Sequence, residues 1–144
     1  MPALYQWRGD FENREVNALH TEAFDTRVVT EDERNWRSFL AENSFGWVTA
    51  RDTGRLVGFV NVIWDGLVHA WIQDTMVAAD HRRMGIGRRL IAMAKHYAAR
   101  AGCEWLHVDF DDDLRDFYIG ACGFIPTSAG LIHLPSGLSP RRPG

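Results

Sequence analysis

Ile72-Gln-Asp-Thr-Met-Val-Ala-Ala-Asp-His-Arg-Arg-Met-Gly-Ile-Gly-Arg-Arg-Leu90 is the stretch on which the reading of this chain turns. Residues 72–77 read as a strand, residues 82–87 spell Arg-Arg-Met-Gly-Ile-Gly, and from Ile86 onward apolar residues recur at helical spacing. A glycine-containing turn therefore feeds the start of a helix. The first backbone N–H groups of a helix have no intrahelical partner, and the aligned peptide dipoles make that end electropositive, so it can hold an anion such as phosphate. Gly85 and Gly87 allow positive φ and a close approach of the main chain to a ligand, while Arg82, Arg83, Arg88 and Arg89 add charge. An isolated Gly-x-Gly among arginines is more often a basic turn before a solvated helix face, so the context has to decide.

Two phosphate loops fail on spacing. A dinucleotide-binding Gly-x-Gly-x-x-Gly needs glycine where Leu90 stands, and a P-loop needs a Gly-Lys-Ser/Thr that the chain lacks. What remains, Val77-x-x-x-x-Arg82-x-x-Gly85-x-Gly87, resembles the coenzyme A pyrophosphate loop of the GNAT superfamily of N-acetyltransferases. Ala79 replaces the usual proline, which only stiffens the turn. Gly58-Phe-Val resembles the family's glycine-bearing third strand, and Phe117-Tyr118 followed by Gly123-Phe124 resembles its terminal signature, so the likeness covers residues 45–134.

Composition agrees with one soluble domain: 144 residues, 46% apolar, 24% charged, net charge −3. Neither a secretory signal nor a membrane span is legible, and the cytoplasm is the expected location. Cys103 and Cys122 are too few for a disulfide framework and lack metal-ligand spacing with the histidines, so reduced thiols and no metal site are expected. Net negative charge and the absence of a recognised module weigh against nucleic-acid binding by the Arg82 to Arg89 patch.

The remaining elements follow from periodicity and turn residues. A short first strand over residues 3–7 ends at Arg8-Gly-Asp10, and two helices follow, one carrying Val16, Leu19 and Phe24, the other Trp36, Phe39 and Leu40. Thr30 is the expected N-cap of the second helix, with Glu33 completing a capping box. Residues 45–51 and 55–64 read as a hairpin closed by Asp52-Thr-Gly54, residues 69–77 as a fourth strand and residues 104–110 as a fifth. Gly102 ends the intervening helix, a short helix opens at Asp111, and a final strand is expected over residues 130–134 before a Pro, Gly and Ser-rich tail, residues 135–144, expected to be disordered. The resemblance implies a mixed α/β (α+β) fold, a mostly antiparallel sheet of six to seven strands with about four helices and a V-shaped splay between strands 4 and 5.

By the same resemblance, acetyl-coenzyme A lies in that splay on the backbone of Thr75, Met76 and Val77, with its pyrophosphate on Arg82, Arg83, Met84, Gly85, Ile86, Gly87 and Arg88, and Asp111 contacts the coenzyme. The implied reaction is direct attack of an amine on the thioester, with the backbone near Val77 holding the oxyanion. Tyr118 is the implied general acid, its ordinary pKa of about 10 lying close to that of a thiol. The family places three residues between tyrosine and glycine, whereas Ile119-Gly-Ala-Cys122 makes four; an ungapped count from Gly123 puts Ile119 at the acid's position, while a count from Tyr118 puts Leu114 and Asp111 in register. The base is Asp74, His107 or a chain of waters.

The acceptor is an amine, small molecule or peptide, that the sequence does not identify. Trp64, Asp65, His69, Trp71 and the acids Asp109, Asp111, Asp112 and Asp113 are its candidate surroundings, and acids near the cleft favour a cation. A homodimer is compatible with the sequence, and a membrane or nucleic-acid partner is not expected. A non-catalytic acetyl-coenzyme A sensor would share the loop and dispense with Tyr118 and the base.

Overall fold

Runs rich in β-branched and aromatic residues within 46–77 build three long consecutive strands, and the rest of the fold packs on them. The computed structural model describes residues 2–27 and 29–135. Its order is β1 (Leu4–Trp7), α1 (Asn13–Phe24), α2 (Trp36–Asn43), β2 (Gly46–Asp52), β3 (Arg55–Trp64), β4 (His69–Val77), α3 (Ile86–Arg100) and β5 (Trp105–Val108). A 3-10 turn at Ala79–His81 precedes α3; another at Asp112–Leu114 and a π-helical segment at Asp116–Ala121 follow β5. The strands form one sheet in the order β1-β2-β3-β4-β5, antiparallel except for the parallel β4–β5 pair.

Five strands form among the described residues, not six to seven. The expected last strand does not form: residues 130–134 have no sheet partner, and Leu131, Ile132 and Leu134 are exposed. Strand propensity alone does not stabilise a strand without a paired neighbour. The expectation of a disordered tail falls on residues 136–144, which lie outside the described residues, apart from Pro135.

Helices cover both faces of the sheet. Phe59 of β3 meets Phe11 and Trp36 edge-on at 5.6 and 6.0 Å, which fixes the α1/α2 layer. On the other face α3 buries Ile86, Leu90, Ile91, Ala94 and Ala98, the larger of these contributing roughly 1.5–3 kcal/mol each. Gly58 admits that helix: a Cβ there would stand 2.8 Å from Ile86 and 3.2 Å from Leu90. Gly102, at φ +98, closes α3, with Cys103 N–H donating to Ala98 O at 3.0 Å.

The second helix is capped differently from the expectation. Thr30 and Glu33 do bond to each other, Thr30 N–H reaching Glu33 Oε1 at 3.3 Å, but they close an isolated turn. The helix begins at Trp36 with Asn35 as N-cap, its Oδ1 accepting from Ser38 N–H at 3.1 Å. Asparagine is at least as good a cap as threonine, and Trp36 locks the start by burying its ring while Nε1 donates to Asn17 Oδ1 at 2.8 Å.

Candidate active site

The site grows from two irregularities at the end of β4. The first is its separation from β5: pairing runs from His69↔Trp105 to Ile72↔Val108 and stops, while β4 continues to Val77. Beyond Ile72 one edge of β4 therefore has no strand partner. Ala78 N–H donates to Val57 O on β3 at 2.8 Å. Successive amides of an extended strand point to opposite edges, so the Val77 N–H faces the open side.

The second is a β-bulge. Met76 pairs with Phe59 and Gln73 with Asn61, so Asp74 and Thr75 together oppose the single residue Val60. Asp74 takes φ +57, a left-handed conformation that aspartate tolerates better than most residues. The bulge places the two side chains in different surroundings. Asp74 approaches Asn61, whose Nδ2 lies 3.5 Å from Asp74 Oδ2, and Asn61 shares the face of Phe59 and the α1/α2 layer. Thr75 Oγ1 accepts from the Tyr118 hydroxyl at 3.1 Å.

Tyr118 belongs to the α3 side. Its ring packs against Phe117 at 4.8 Å and Phe110 at 5.3 Å, and Phe117 lies so close to α3 that a Cβ on Gly87 would stand 3.1 Å from it. The π-helical segment accounts for the extra residue in the tyrosine-to-glycine interval. Cys122 N–H donates to Phe117 O at 2.9 Å, five residues back, so the turn absorbs one residue more than an α-helical turn would. Tyr118 is thereby held against β4, whereas Ile119 lines a groove along β5 and has no proton to give.

Electrostatics separate the two ionisable candidates. Burial pushes the Asp74 carboxyl above the ordinary carboxylate range, opposed by the Asn61 amide and by the nearby His20 and Arg34. Burial also raises the Tyr118 phenol, opposed by its bond to Thr75. His107 stands apart from both: its Nε2 is 2.8 Å from His69 Nδ1 and its ring stacks on Trp71 at 4.9 Å, where β4 and β5 are still paired. Half-buried Trp71 and exposed His107 make an aromatic shelf on the α1/α2 face.

Sequence reasoning missed the polar cluster behind Asp74. The Ser44 hydroxyl donates to Asn61 Oδ1, and Arg34 Nη1 lies 3.1 Å from His20 Nε2. A guanidinium can only donate, so His20 accepts at Nε2 and carries its proton on Nδ1, a buried atom with no partner among the described residues. These residues come from α1, the loop before α2, the loop after it and β3, and no local pattern joins them.

The loop from Val77 into α3 has the features of an anion site. Arg83 and Gly85 take φ +63 and +82, and the first bond of the α3 ladder is Arg89 N–H to Gly85 O at 3.1 Å. The amides of Ile86, Gly87 and Arg88 therefore have no intrahelical acceptor, and no side chain caps them. The space beside Gly85 is open, with nothing within 4 Å of where a Cβ would project. Arg82 Nη2 donates to Glu22 O at 3.2 Å and Arg89 lies over the Tyr5 ring at 5.1 Å, so both are partly engaged elsewhere. Met84 is exposed at the tip and Met76 is buried beneath the strand. Asp111 sits at the start of the 3-10 turn after β5, its carbonyl accepting from Leu114 N–H at 2.8 Å. Among the described residues no group of three or more His, Cys, Asp or Glu side chains is arranged to hold a metal ion, and no helix is long and apolar enough to cross a membrane.

The chain and its fold have counterparts among known proteins. The model of the acetyltransferase (GNAT) family matches residues 1–124. No curated protein matches the sequence. A probable acetyltransferase from methicillin-resistant Staphylococcus aureus superposes with a TM-score of 0.73 at 21% identity, covering 92% of this chain and 99% of that one. The ribosomal-protein-alanine N-acetyltransferase of Brucella melitensis gives 0.71 at 21% identity over 93% and 100% of the two chains. Glucosamine-6-phosphate N-acetyltransferase of Arabidopsis thaliana gives 0.70 at 14% over 91% and 98%. At these identities the solved structures share the fold.

Proposed function

Since the chain belongs to the acetyltransferase (GNAT) family, we propose that it transfers an acetyl group from acetyl-coenzyme A to a primary amine by direct attack. The residues present fit that donor: three uncapped amides at the start of α3, open space beside Gly85 and an unpaired β4 edge leading away from them. Bound acetyl-coenzyme A would supply an activated acyl carbon and a thiolate leaving group. Amides of residues 86–88 bind the pyrophosphate, with Arg83 and Arg88 adding charge. The open edge of β4 takes the pantetheine arm, because exposed strand N–H and C=O groups require partners.

The observation that carries the mechanism is the β4 bulge, which turns Asp74 toward the α1/α2 face and Thr75 toward Tyr118. Asp74 accepts a proton from the acceptor ammonium, and its raised pKa brings it closer to the value a base needs at neutral pH. Val77 N–H donates to the carbonyl oxygen as negative charge develops there. Tyr118 gives its phenolic proton to the departing sulfur. Asp74 is preferred to His107, which is bonded to His69 and lies where the strands are still joined. The acceptor lies on the α1/α2 face, where Asp74 favours a cation and the Trp71–His107 shelf favours a flat or apolar group beside the amine.

Release of free thiol from acetyl-coenzyme A over a panel of amines tests this reading. Turnover with at least one amine, lost in Asp74→Asn and Tyr118→Phe, is expected. Tight binding of acetyl-coenzyme A with no turnover on any amine would replace the enzyme by a sensor of the same fold.

A further inference from the structure

Arg34, in the loop before α2, is an exposed cation that the fold holds still without giving it a counter-ion. Its backbone is anchored on α1, the Asn17 amide donating to Arg34 O at 3.2 Å. Its side chain is fixed twice: Nη1 donates to His20 Nε2 at 3.1 Å, and the guanidinium carbon lies 5.6 Å from the centre of the Trp36 ring. Burial and the guanidinium itself hold His20 below its ordinary pKa, so the ring accepts as a neutral group and the positive charge stays with Arg34. Neighbouring acids are used elsewhere. Glu33 pairs with Arg27 at 2.5 Å and Glu31 accepts from Asn13 Nδ2 at 2.8 Å. Among the described residues no carboxylate forms an ion pair with Arg34.

A series of contacts leads from this guanidinium to Asp74. Trp36 meets Phe59 at 6.0 Å, Phe59 and Asn61 share one face of β3, and Asn61 Nδ2 lies 3.5 Å from Asp74 Oδ2. His20 packs on the same Trp36 ring, at 6.1 Å. The guanidinium is close enough for its charge to oppose the upward push of burial on the Asp74 carboxyl. One face of the sheet thus presents a carboxylate suited to an ammonium and a fixed cation with no anion to meet it. A guanidinium carries its N–H donors in a planar fork, of which His20 takes one, and the paired oxygens of a carboxylate or phosphate match the remainder.

We propose that Arg34 binds an anionic group of the acceptor, so that the substrate is an amine carrying a carboxylate or a phosphate. Its ammonium meets Asp74 and its anion meets Arg34. The inference rests on the acetyl-transfer reading and narrows the acceptor to a chemical class. Two opposite charges discriminate together: an amine without the anion leaves Arg34 to water, and an anion without the amine is repelled by Asp74. Holding the acceptor at two points also orients the amine for attack.

Thiol release from acetyl-coenzyme A with matched acceptors tests it, in two arms: amino acids against their carboxamides, and aminoalkyl phosphates against the corresponding amino alcohols. In at least one arm the anionic member is expected to exceed its neutral counterpart by about tenfold or more in kcat/KM, as a charge-assisted bond predicts, and that arm names the anion. Arg34→Gln is expected to raise KM for the anionic acceptor until the pair is equal, and Arg34→Lys to restore part of the preference. Both variants alter an exposed side chain, a melting curve checks that they fold, and the wild-type comparison stands without them. Neutral members that turn over as fast as the anionic ones in both arms, or a preference that survives Arg34→Gln, would overturn the inference and leave acetyl transfer standing. Cofactor binding without turnover of any amine would overturn the acetyl-transfer reading and this inference with it.

Discussion

Replacing Tyr118 by phenylalanine removes one oxygen and leaves the ring in place. The aromatic contacts with Phe110, Phe117 and Phe124, at 4.8 to 5.9 Å, do not need the hydroxyl, so packing around the π-helical turn survives. The folded state loses the hydrogen bond to Thr75, worth about 0.5–1.5 kcal/mol, which lowers the thermal midpoint by a few degrees. The catalytic loss is larger. A positioned general acid contributes roughly 10²–10⁴-fold, or about 2.7–5.4 kcal/mol of transition-state stabilisation at 1.36 kcal/mol per decade. The uncapped α3 amides and the β4 edge are untouched, so affinity for acetyl-coenzyme A should hold. The assay pairs thiol release at saturating amine with calorimetric titration of the cofactor. A fall in kcat with constant cofactor affinity supports the assignment; a variant as fast as wild type refutes it, and the proton would then reach sulfur from water.

Four further substitutions probe the same geometry. Asp74→Asn should abolish the acid limb of the pH–rate profile, a limb that in wild type lies above the ordinary carboxylate range because burial raises this carboxyl. A raised carboxyl favours the fold while protonated, and that contribution is lost as pH rises from about 3.9 through the folded-state value, so chemical denaturation at pH 7 should find Asp74→Asn at least as stable as wild type. His81 bridges Asp52 and Asp80 at 2.7 and 2.8 Å and is raised by both; its contribution is complete below about pH 6.5 and fades as pH rises through the folded-state pKa, and His81→Gln should flatten that part of the stability curve. Gly58→Ala puts a methyl 2.8 Å from Ile86 and 3.1 Å from Ala50, and denaturant melts should show a loss of about 1–3 kcal/mol from overpacking. Gly85→Val meets no neighbour, yet it forces a β-branched residue to φ +82 and should cost more than ~1 kcal/mol together with coenzyme affinity, read by melting and calorimetry.

Much of the frame was legible because local physics is sufficient for it. Turn residues at 52–54 between two β-rich runs mark the β2–β3 hairpin, and helical spacing from Ile86 with a glycine at 102 marks α3 within a residue at each end. The position of Tyr118 was open in the sequence, since a count of residues cannot tell a π turn from a gap. The Asp74 bulge was hidden too, because aspartate enters the left-handed region without announcing it as glycine does. The cluster of His20, Arg34, Ser44 and Asn61 has no sequence signature, as it exists only once α1 and the loops flanking α2 fold over the sheet. The sixth strand was expected from propensity and is not formed, because a strand at an open edge depends on what lies alongside it.

The central claim is that the backbone at the start of α3 and along the open edge of β4 holds acetyl-coenzyme A. Amide NMR of the isotope-labelled chain, titrated with acetyl-coenzyme A, tests it directly. The account predicts saturable shifts at residues 75–77 and 85–88, absent in Gly85→Val. Shifts confined to the β5 groove, at Leu106, Val108 and Phe124, or no shifts at all, would contradict it.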